Sequence, residues 1–250
     1  MLLAKINPHP RDMNISFKEE GHEYTIANME TKPTSVTTVV HHYFPEFEPD
    51  IVINKMMASR NWPNSKYYGM TREAIKQQWA TAGEEAANLG TIMHRNIELF
   101  LNNELTEDPN TKEFNMFTNF WNGLIDMYPM LRPYRTEWLI YDEDVRIAGS
   151  IDCVLSDQYG NLIILDWKRS KEIKMDNRWE KGNGIFSNYQ NCNHLTYSLQ
   201  LNLYRHILEN KYNKRVIYMM LVVLHPNQET YLCYPVNHIE LSSVWSNINS

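Results

Sequence analysis

Two stretches near the middle of the chain decide how it folds there: Gly149-Ser150-Ile151-Asp152 and Ile163-Ile164-Leu165-Asp166-Trp167-Lys168. Between them lies a segment rich in turn-forming residues, Ser156-Asp157-Gln158-Tyr159-Gly160-Asn161. Apolar runs on both sides of such a turn predict a β-hairpin. Folding the chain about the middle of the turn places Asp152 opposite residue 165 or residue 166.

This hairpin would bring three charged side chains together. Directly opposed Cβ atoms are ~5 Å apart, so Asp152 and Asp166 could share a divalent cation. Lys168 follows Asp166 by two residues, so it points to the same face, roughly 7 Å along the strand. Two carboxylates and an ammonium suit hydrolysis of a phosphodiester. The prediction depends on register, because a slip of one residue would send Asp152 to the opposite face.

The alternative is that these charges lie on the solvated face of a half-exposed strand. Two observations favour a functional site. The run 162–165 continues into Trp167, which predicts a buried strand around Asp166, where an unpaired charge is costly. Asp152 likewise interrupts an apolar strand from Ile147 to Leu155.

Length and composition predict one domain, or one domain with an elaborated subdomain, because the chain has 250 residues of which 43% are hydrophobic. We expect a core over residues 81–240 and an N-terminal elaboration of unassigned role over residues 1–80. A net charge of −6 argues against general coating of nucleic acid but allows a local basic groove.

The chain has no run of ~18 apolar residues, so we expect no membrane partner. The stretch Met1–Lys5 is too short and too soon charged to predict a secretory signal, and the three cysteines form no Cys-x-x-Cys pair. These features predict an intracellular protein, in the cytoplasm or a host nucleus, without an iron–sulfur cluster. Abundant asparagine beside isoleucine, tyrosine and lysine suits an AT-rich genome such as that of a virus.

Residue patterns predict an α/β (α+β) fold with a small central mixed sheet flanked by helices. Helices are expected over about 71–80, from 83 or 84 to 103, from 109 to 129 and over 195–210. Strands are expected in a hairpin over 15–27 and over 135–141, 145–155, 161–168, 216–224 and 230–236, with an extended or helix-entry segment at 35–40. A loop over 170–193 carries Lys171, Lys174, Arg178 and Lys181.

Two helical pairs are further candidates for a site. His94 and Glu98 are one turn apart on one helix face, and His94 could supply an imidazole to a metal. Gln200 and Tyr204 share a face of the later helix and could contact substrate phosphates or bases. The alternatives are a histidine of the core or surface, and a polar flank without function.

Four motifs in order resemble the RecB-type branch of the PD-(D/E)XK nuclease superfamily, which includes the nuclease domains of RecB and AddB. They are Gly90-Thr91-x-x-His94 with Glu98, Gly149-Ser-Ile-Asp152, Asp166-Trp-Lys168 and Gln200-x-x-x-Tyr204. They span residues 90–204, about half of the chain.

The resemblance implies a restriction-endonuclease-like core that binds metal. His94, Asp152, Asp166 and the main-chain carbonyl of Trp167 would be the metal ligands, and Lys168 would be the catalytic lysine. The resemblance also implies Glu98 and Glu137 as supporting residues and Gln200 and Tyr204 as DNA contacts. We further expect Arg169 and Ser170 to contact the DNA backbone. Hairpin geometry further predicts that Glu137 is a sheet neighbour of Gly149.

The expected cofactor is Mg²⁺, with Mn²⁺ as a substitute, because the ligands are hard oxygens and one imidazole. We expect no nucleotide cofactor, because no Walker A sequence is present, so a helicase or recombination activity would come from a partner. The stacking candidates for single-stranded DNA are Tyr189, Tyr197 and Tyr204.

These features predict a metal-dependent DNA exonuclease of repair, recombination or genome processing. Two alternatives stay open. One is an endonuclease of the same superfamily, and the other is a non-catalytic domain, binding nucleic acid or protein, whose acidic pair is incidental.

Overall fold

A computed structural model describes the backbone of residues 1–248 and the side chains of residues 1–246. The chain forms two compact units, one of Met1–Pro45 with Met93–Ser250 and one of Glu46–Ile92. Residues 1–45, which the sequence assigned to an N-terminal elaboration, therefore share a unit with the sheet. The boundary expected near residue 80 instead lies inside the second unit.

The fold is mixed α/β, as predicted. Its helices are α1 Leu2–Ile6, α2 Val36–Tyr43, α3 Pro49–Met57, α4 Arg72–Leu101, α5 Lys112–Met127, α6 Asn193–Lys211 and α7 Ser242–Ile248. Its strands are β1 Ile15–Lys18, β2 Glu23–Ile26, β3 Thr34–Ser35, β4 Arg132–Asp142, β5 Ile147–Ser156, β6 Leu162–Lys168, β7 Val216–Val223 and β8 Leu232–Pro235. Strands β1 and β2 form the hairpin expected over residues 15–27.

A mixed sheet of six strands is organised around β5. Strand β4 pairs antiparallel with β5 along one edge. The other edge of β5 is shared by two strands, because β3 pairs parallel with its start and β6 pairs antiparallel with its end. Strand β7 then pairs parallel with β6, and β8 antiparallel with β7. The parallel pair is joined through α6, as a parallel crossover requires.

Both faces of this sheet are covered by apolar side chains. On one face α2 and α6 contribute residues such as Val36, Leu199 and Leu203. On the other face Ile97 of α4 and Phe117 of α5 pack with Trp167 of β6. Residues 162–167 of β6 are all buried, which agrees with the uninterrupted apolar run in the sequence.

Helix α4 is longer than predicted. The sequence indicated two helices with a break near Gly83, but one helix runs from Arg72 to Leu101. Thr71 caps it as expected, with its Oγ1 accepting from Ala74 N at 3.1 Å. A glycine costs ~1 kcal/mol in a helix interior, which the surrounding alanines and glutamates offset.

The unit Glu46–Ile92 has a small core. Ile53 and Ile75 are its fully buried apolar side chains among the described residues. Polar contacts join its helices, since Lys76 Nζ donates to Asp50 Oδ2 at 2.8 Å. In the described residues no helix is both long and apolar enough to cross a bilayer.

Candidate metal centre

The centre lies where β5 and β6 separate. Their ladder runs from Ser156↔Leu162 to Cys153↔Leu165, which leaves Asp152 and Asp166 as the next opposed pair. Instead of a backbone pair, Asp152 Oδ2 accepts the main-chain N–H of Trp167 at 2.9 Å. The predicted hairpin register is therefore confirmed. The side chain of Asp152 occupies the gap that opens between the strands.

Three side chains converge at this gap. One ligand atom each from His94, Glu137 and Asp152 lies within 4.8 Å of the other two. His94 Nδ1 is 3.6 Å from Asp152 Oδ2 and 3.7 Å from Glu137 Oε1. The separations are suitable for three ligands around one cation, because none of these atoms is in direct contact with another.

His94 is held in one orientation by a main-chain group of β6. Its Nε2 lies 3.0 Å from the carbonyl oxygen of Trp167. A carbonyl can only accept, so Nε2 carries the proton of this hydrogen bond and Nδ1 is turned toward the carboxylates. Metal-binding histidines commonly donate their second N–H in this way. The Trp167 carbonyl, expected from the resemblance to bind metal, is thus engaged with the imidazole.

Glu137 reaches the centre through an unusual backbone conformation. Its φ is +43°, a left-handed value that costs a non-glycine residue about 1–3 kcal/mol and is enriched at functional sites. The β4–β5 ladder passes from Thr136↔Cys153 to Trp138↔Ile151, so Glu137 and Asp152 face each other across the strands. Ser150 Oγ donates to Glu137 Oε2 at 3.0 Å.

The predicted neighbour of Glu137 was wrong. Gly149 pairs with Ile140, because the connection between β4 and β5 occupies residues 143–146 and the register is three residues away from the one expected. Sequence reasoning therefore gave Glu137 only a supporting role. A correct placement of this turn would have identified it as a partner of Asp152.

Asp166 and Lys168 form an ion pair beside the three ligands. Lys168 Nζ lies 2.8 Å from Asp166 Oδ2, and the exposed fractions of the two side chains are 18% and 3%. The ammonium also lies 4.6 Å from the centre of the Tyr197 ring of α6. Asp166, predicted as a metal ligand, is thus paired with the lysine and is not among the three converging side chains.

Burial and neighbouring charges shift the pKa values of the side chains at the metal centre. Burial alone would lower the pKa of His94, but the carboxylates of Asp152 and Glu137 outweigh it and raise that pKa to about 9. Burial, with Asp152 nearby, raises the pKa of Asp166 to about 6. Burial would lower the pKa of Lys168, but Asp166 and Asp152 raise it. At neutral pH the lysine is therefore a fixed positive charge.

Gln200 and Tyr204 of α6 form a hydrogen-bonded pair, and the Tyr204 ring packs against β5. Gln200 Nε2 donates to the Tyr204 hydroxyl at 3.0 Å, and Tyr204 is buried in the core. A Cβ placed on Gly149 would lie 2.6 Å from Tyr204 Cε1, so glycine is what lets this ring approach β5. The structure assigns Tyr204 to packing, in place of the DNA contact that was predicted.

Three other predicted residues have local partners. Arg169 Nε lies 2.7 Å from Glu113 Oε1, with both side chains largely buried, which leaves this guanidinium little freedom to contact DNA. Ser170 Oγ donates to the carbonyl of Glu172. Glu98 pairs with Arg95 Nη1 at 2.8 Å. Burial raises the pKa of Glu98, with Glu137 adding to the effect, so Glu98 fits a supporting role.

The donor set fits a divalent cation. Two carboxylates and one imidazole nitrogen are ligands that Mn²⁺ accepts and that Mg²⁺ accepts less readily at the nitrogen. The strained backbone of Glu137 and the oriented ring of His94 are further signs of a built site. The proton on Nδ1, which the raised pKa implies, would leave when a metal binds.

Comparison with known proteins adds little to this geometry. No protein-family model matches the chain, and no curated protein matches its sequence. One similar solved structure is described as "Crystal structure of SSO0001", at 14% identity and a TM-score of 0.36. The similarity covers 88% of this chain and 74% of the other. At that score it carries no conclusion about fold or function.

Proposed function

We propose that this chain is a divalent-metal-dependent nuclease that hydrolyses phosphodiester bonds in DNA. The observation that supports this most is the convergence of His94, Glu137 and Asp152 next to a buried Asp166–Lys168 pair. A resemblance of four ordered motifs to RecB-type nucleases supports DNA as the substrate and an exonuclease as the reaction type.

The residues divide into metal binding and charge stabilisation. His94, Glu137 and Asp152 would hold the ion, with Asp166 alongside. A bound Mg²⁺ or Mn²⁺ supplies a nucleophilic water of lowered pKa and neutralises charge on the phosphate. Lys168 would place its ammonium near the negative charge that develops on the phosphoryl oxygens. Asp166 and the Tyr197 ring hold that ammonium in position.

The test is cleavage of end-labelled DNA by Asp152→Asn and Lys168→Met, with Mg²⁺ or with EDTA. We expect the wild-type chain to cleave only with metal, and both variants to lose at least ~100-fold, as for removal of one transition-state donor. The matched controls are Asp126→Asn and Lys5→Met, which change the same residue types at exposed positions. Full cleavage by either site variant would contradict the proposal.

Substrate topology separates the two kinds of nuclease. An exonuclease requires an end, so linear DNA should be degraded while a closed circle of the same sequence stays intact. Cleavage of the circle at the rate of the linear strand would instead identify an endonuclease.

A further inference from the structure

Trp179 is the most exposed large aromatic side chain among the described residues, with 93% of its surface accessible. It lies in the loop of residues 169–192, between β6 and α6. Tryptophan is on average highly buried, and the large flat indole at this position is open to solvent. An indole held in water is available to stack on another flat ring.

The backbone that carries Trp179 is held in place. Asn177 N donates to Gln190 Oε1 at 2.6 Å, and Asn177 Nδ2 donates to the Asn191 carbonyl at 2.7 Å. The Trp179 N–H donates to Asn177 Oδ1 at 3.1 Å. On the other side, Asn191 N donates to the carbonyl of Glu180 at 2.9 Å. The exposure of Trp179 is therefore a property of a structured loop.

Two basic residues, Arg178 and Lys181, lie close to Trp179 in the sequence, although the chain as a whole is acidic. Arg178 precedes Trp179, and Lys181 follows two residues later, with Lys171 and Lys174 earlier in the loop. All four side chains are exposed. In the described part of the chain none of the four forms an ion pair with a carboxylate, whereas Arg169 does so with Glu113. The loop of residues 169–192 has five basic and three acidic residues, Glu180 next to Trp179 among them, so it is net positive and complements a polyanion that carries flat bases.

The loop starts at the candidate metal centre, and the helix that follows the loop contacts Lys168 of that centre. The loop begins directly after Lys168 and ends at the start of α6. One turn into α6, the Tyr197 ring contacts the Lys168 ammonium at 4.6 Å. Near this end, Lys174 N donates to Asn193 Oδ1 at 2.6 Å, which joins the loop to α6. A strand bound along the loop would therefore run from the metal centre.

We propose that Trp179 stacks on a base of single-stranded DNA and that Arg178 and Lys181 contact its phosphates. This inference rests on the proposed function, because it names the contact that would hold the substrate of that site. Stacking requires an unpaired base whose face is open, which the interior of a duplex does not offer. Aromatic stacking with flanking cations is the common mode of sequence-tolerant single-strand binding.

The test is binding of fluorescein-labelled oligo-dT to the full chain in EDTA, followed by fluorescence anisotropy. EDTA prevents hydrolysis, so binding is measured apart from cleavage. Trp179→Ala should weaken binding by about 5- to 150-fold, the range known for loss of one stacked base. Trp179→Phe should retain part of the affinity. Tyr159→Ala is the matched control, because Tyr159 is 79% exposed in the turn at the other end of β6.

A second ligand separates stacking from charge. On an abasic strand of the same length, Trp179→Ala should bind as tightly as wild type, because no base is left to lose. Arg178→Ala combined with Lys181→Ala should weaken binding of both strands. Equal affinity of Trp179→Ala and wild type for oligo-dT would overturn the inference, as would failure of wild type to bind either strand.

The outcomes also separate this inference from the proposed function. Cleavage by wild type with no effect of Trp179→Ala on binding would refute the stacking contact alone. Stacking without any metal-dependent cleavage would refute the nuclease and retain the contact. If Trp179→Ala abolishes self-association in sedimentation and leaves DNA affinity unchanged, the indole serves a contact between copies, and the inference fails.

Discussion

At the scale of single residues, Glu137 has a backbone conformation that lowers stability but places its carboxylate in the candidate metal centre. Its left-handed backbone costs stability, yet that conformation sets its carboxylate across from Asp152 and near His94. Strain of this kind persists where the surroundings hold it, and such positions cluster at functional sites. If Glu137 serves to bind metal, replacing it should weaken metal binding without lowering the free energy of unfolding.

Glu137→Asn tests that distinction, because asparagine tolerates positive φ and carries no charge. We expect the free energy of unfolding to stay the same or rise by about 1 kcal/mol, while the Kd for Mn²⁺ rises at least about 10-fold. Urea denaturation and calorimetric titration measure the two quantities. Glu229→Gln, at an exposed position away from the centre, is the control and should change the Kd by less than about threefold. A variant that loses stability but keeps its Mn²⁺ affinity would assign Glu137 to structure alone.

At the scale of elements, strand separation creates the site. Strand β6 leaves β5 after Leu165 and continues beside β7, and the Asp152 carboxylate fills the opening. The sequence predicted this hairpin because turn residues and apolar runs determine its register. It missed the position of Glu137, since four residues of varied type connect β4 and β5 and the centre of that turn is not marked by composition. It also missed the continuity of α4, because a glycine costs ~1 kcal/mol in a helix and Gly83 was interpreted as a break, whereas the flanking helix-forming residues offset that cost.

Another element contact joins the 3₁₀ turn Pro10–Asn14 to β4. Asp12 accepts from Arg135 Nη1 at 2.7 Å and from Trp138 Nε1 at 2.9 Å. Burial alone would raise the pKa of Asp12, but these donors and the His9 N–H outweigh it and hold that pKa below its usual value. Because the folded pKa is depressed, the contact stabilises the protein above the unfolded pKa of about 3.9.

We therefore expect Asp12→Asn to lower the free energy of unfolding by about 2 kcal/mol between pH 5 and pH 8. The difference from wild type should shrink below about pH 4, as the wild-type carboxylate becomes protonated. Urea denaturation across this pH range measures it. The control is Asp144→Asn, whose carboxylate is 76% exposed and pairs with Lys211. A difference that stays constant down to pH 3 would contradict this assignment of the ion pair.

At the scale of the whole molecule, the chain divides in a way that composition did not indicate. Residues 1–45 join the sheet through β3, since Thr34 and Ser35 pair with Ile147 and Ala148. Long-range pairing of a two-residue strand has no signal in local pattern, so the expected boundary at residue 80 could not be corrected from the sequence. The exposure of Trp179 also could not be predicted from the sequence, because it depends on how the loop of residues 169–192 folds.

The small core of Glu46–Ile92 predicts uneven stability. Since Ile53 and Ile75 are its fully buried apolar side chains among the described residues, α3 should open at a lower free energy than the strands β5 and β6. Native-state hydrogen exchange should show amides of Ile53 and its neighbours exchanging at least about 100-fold faster than those of residues 153–155. Equal protection in the two segments would show that the unit Glu46–Ile92 does not open independently.

We propose above that His94, Glu137 and Asp152 hold one divalent cation, and every proposed step depends on that ion. Anomalous diffraction from crystals grown with millimolar MnCl₂ tests it most directly, because the signal locates the ion without reference to activity. We expect one strong peak within bonding distance of His94 Nδ1 and of the Glu137 and Asp152 carboxylates. No peak at these three side chains, or a peak only at other acidic groups, would contradict it.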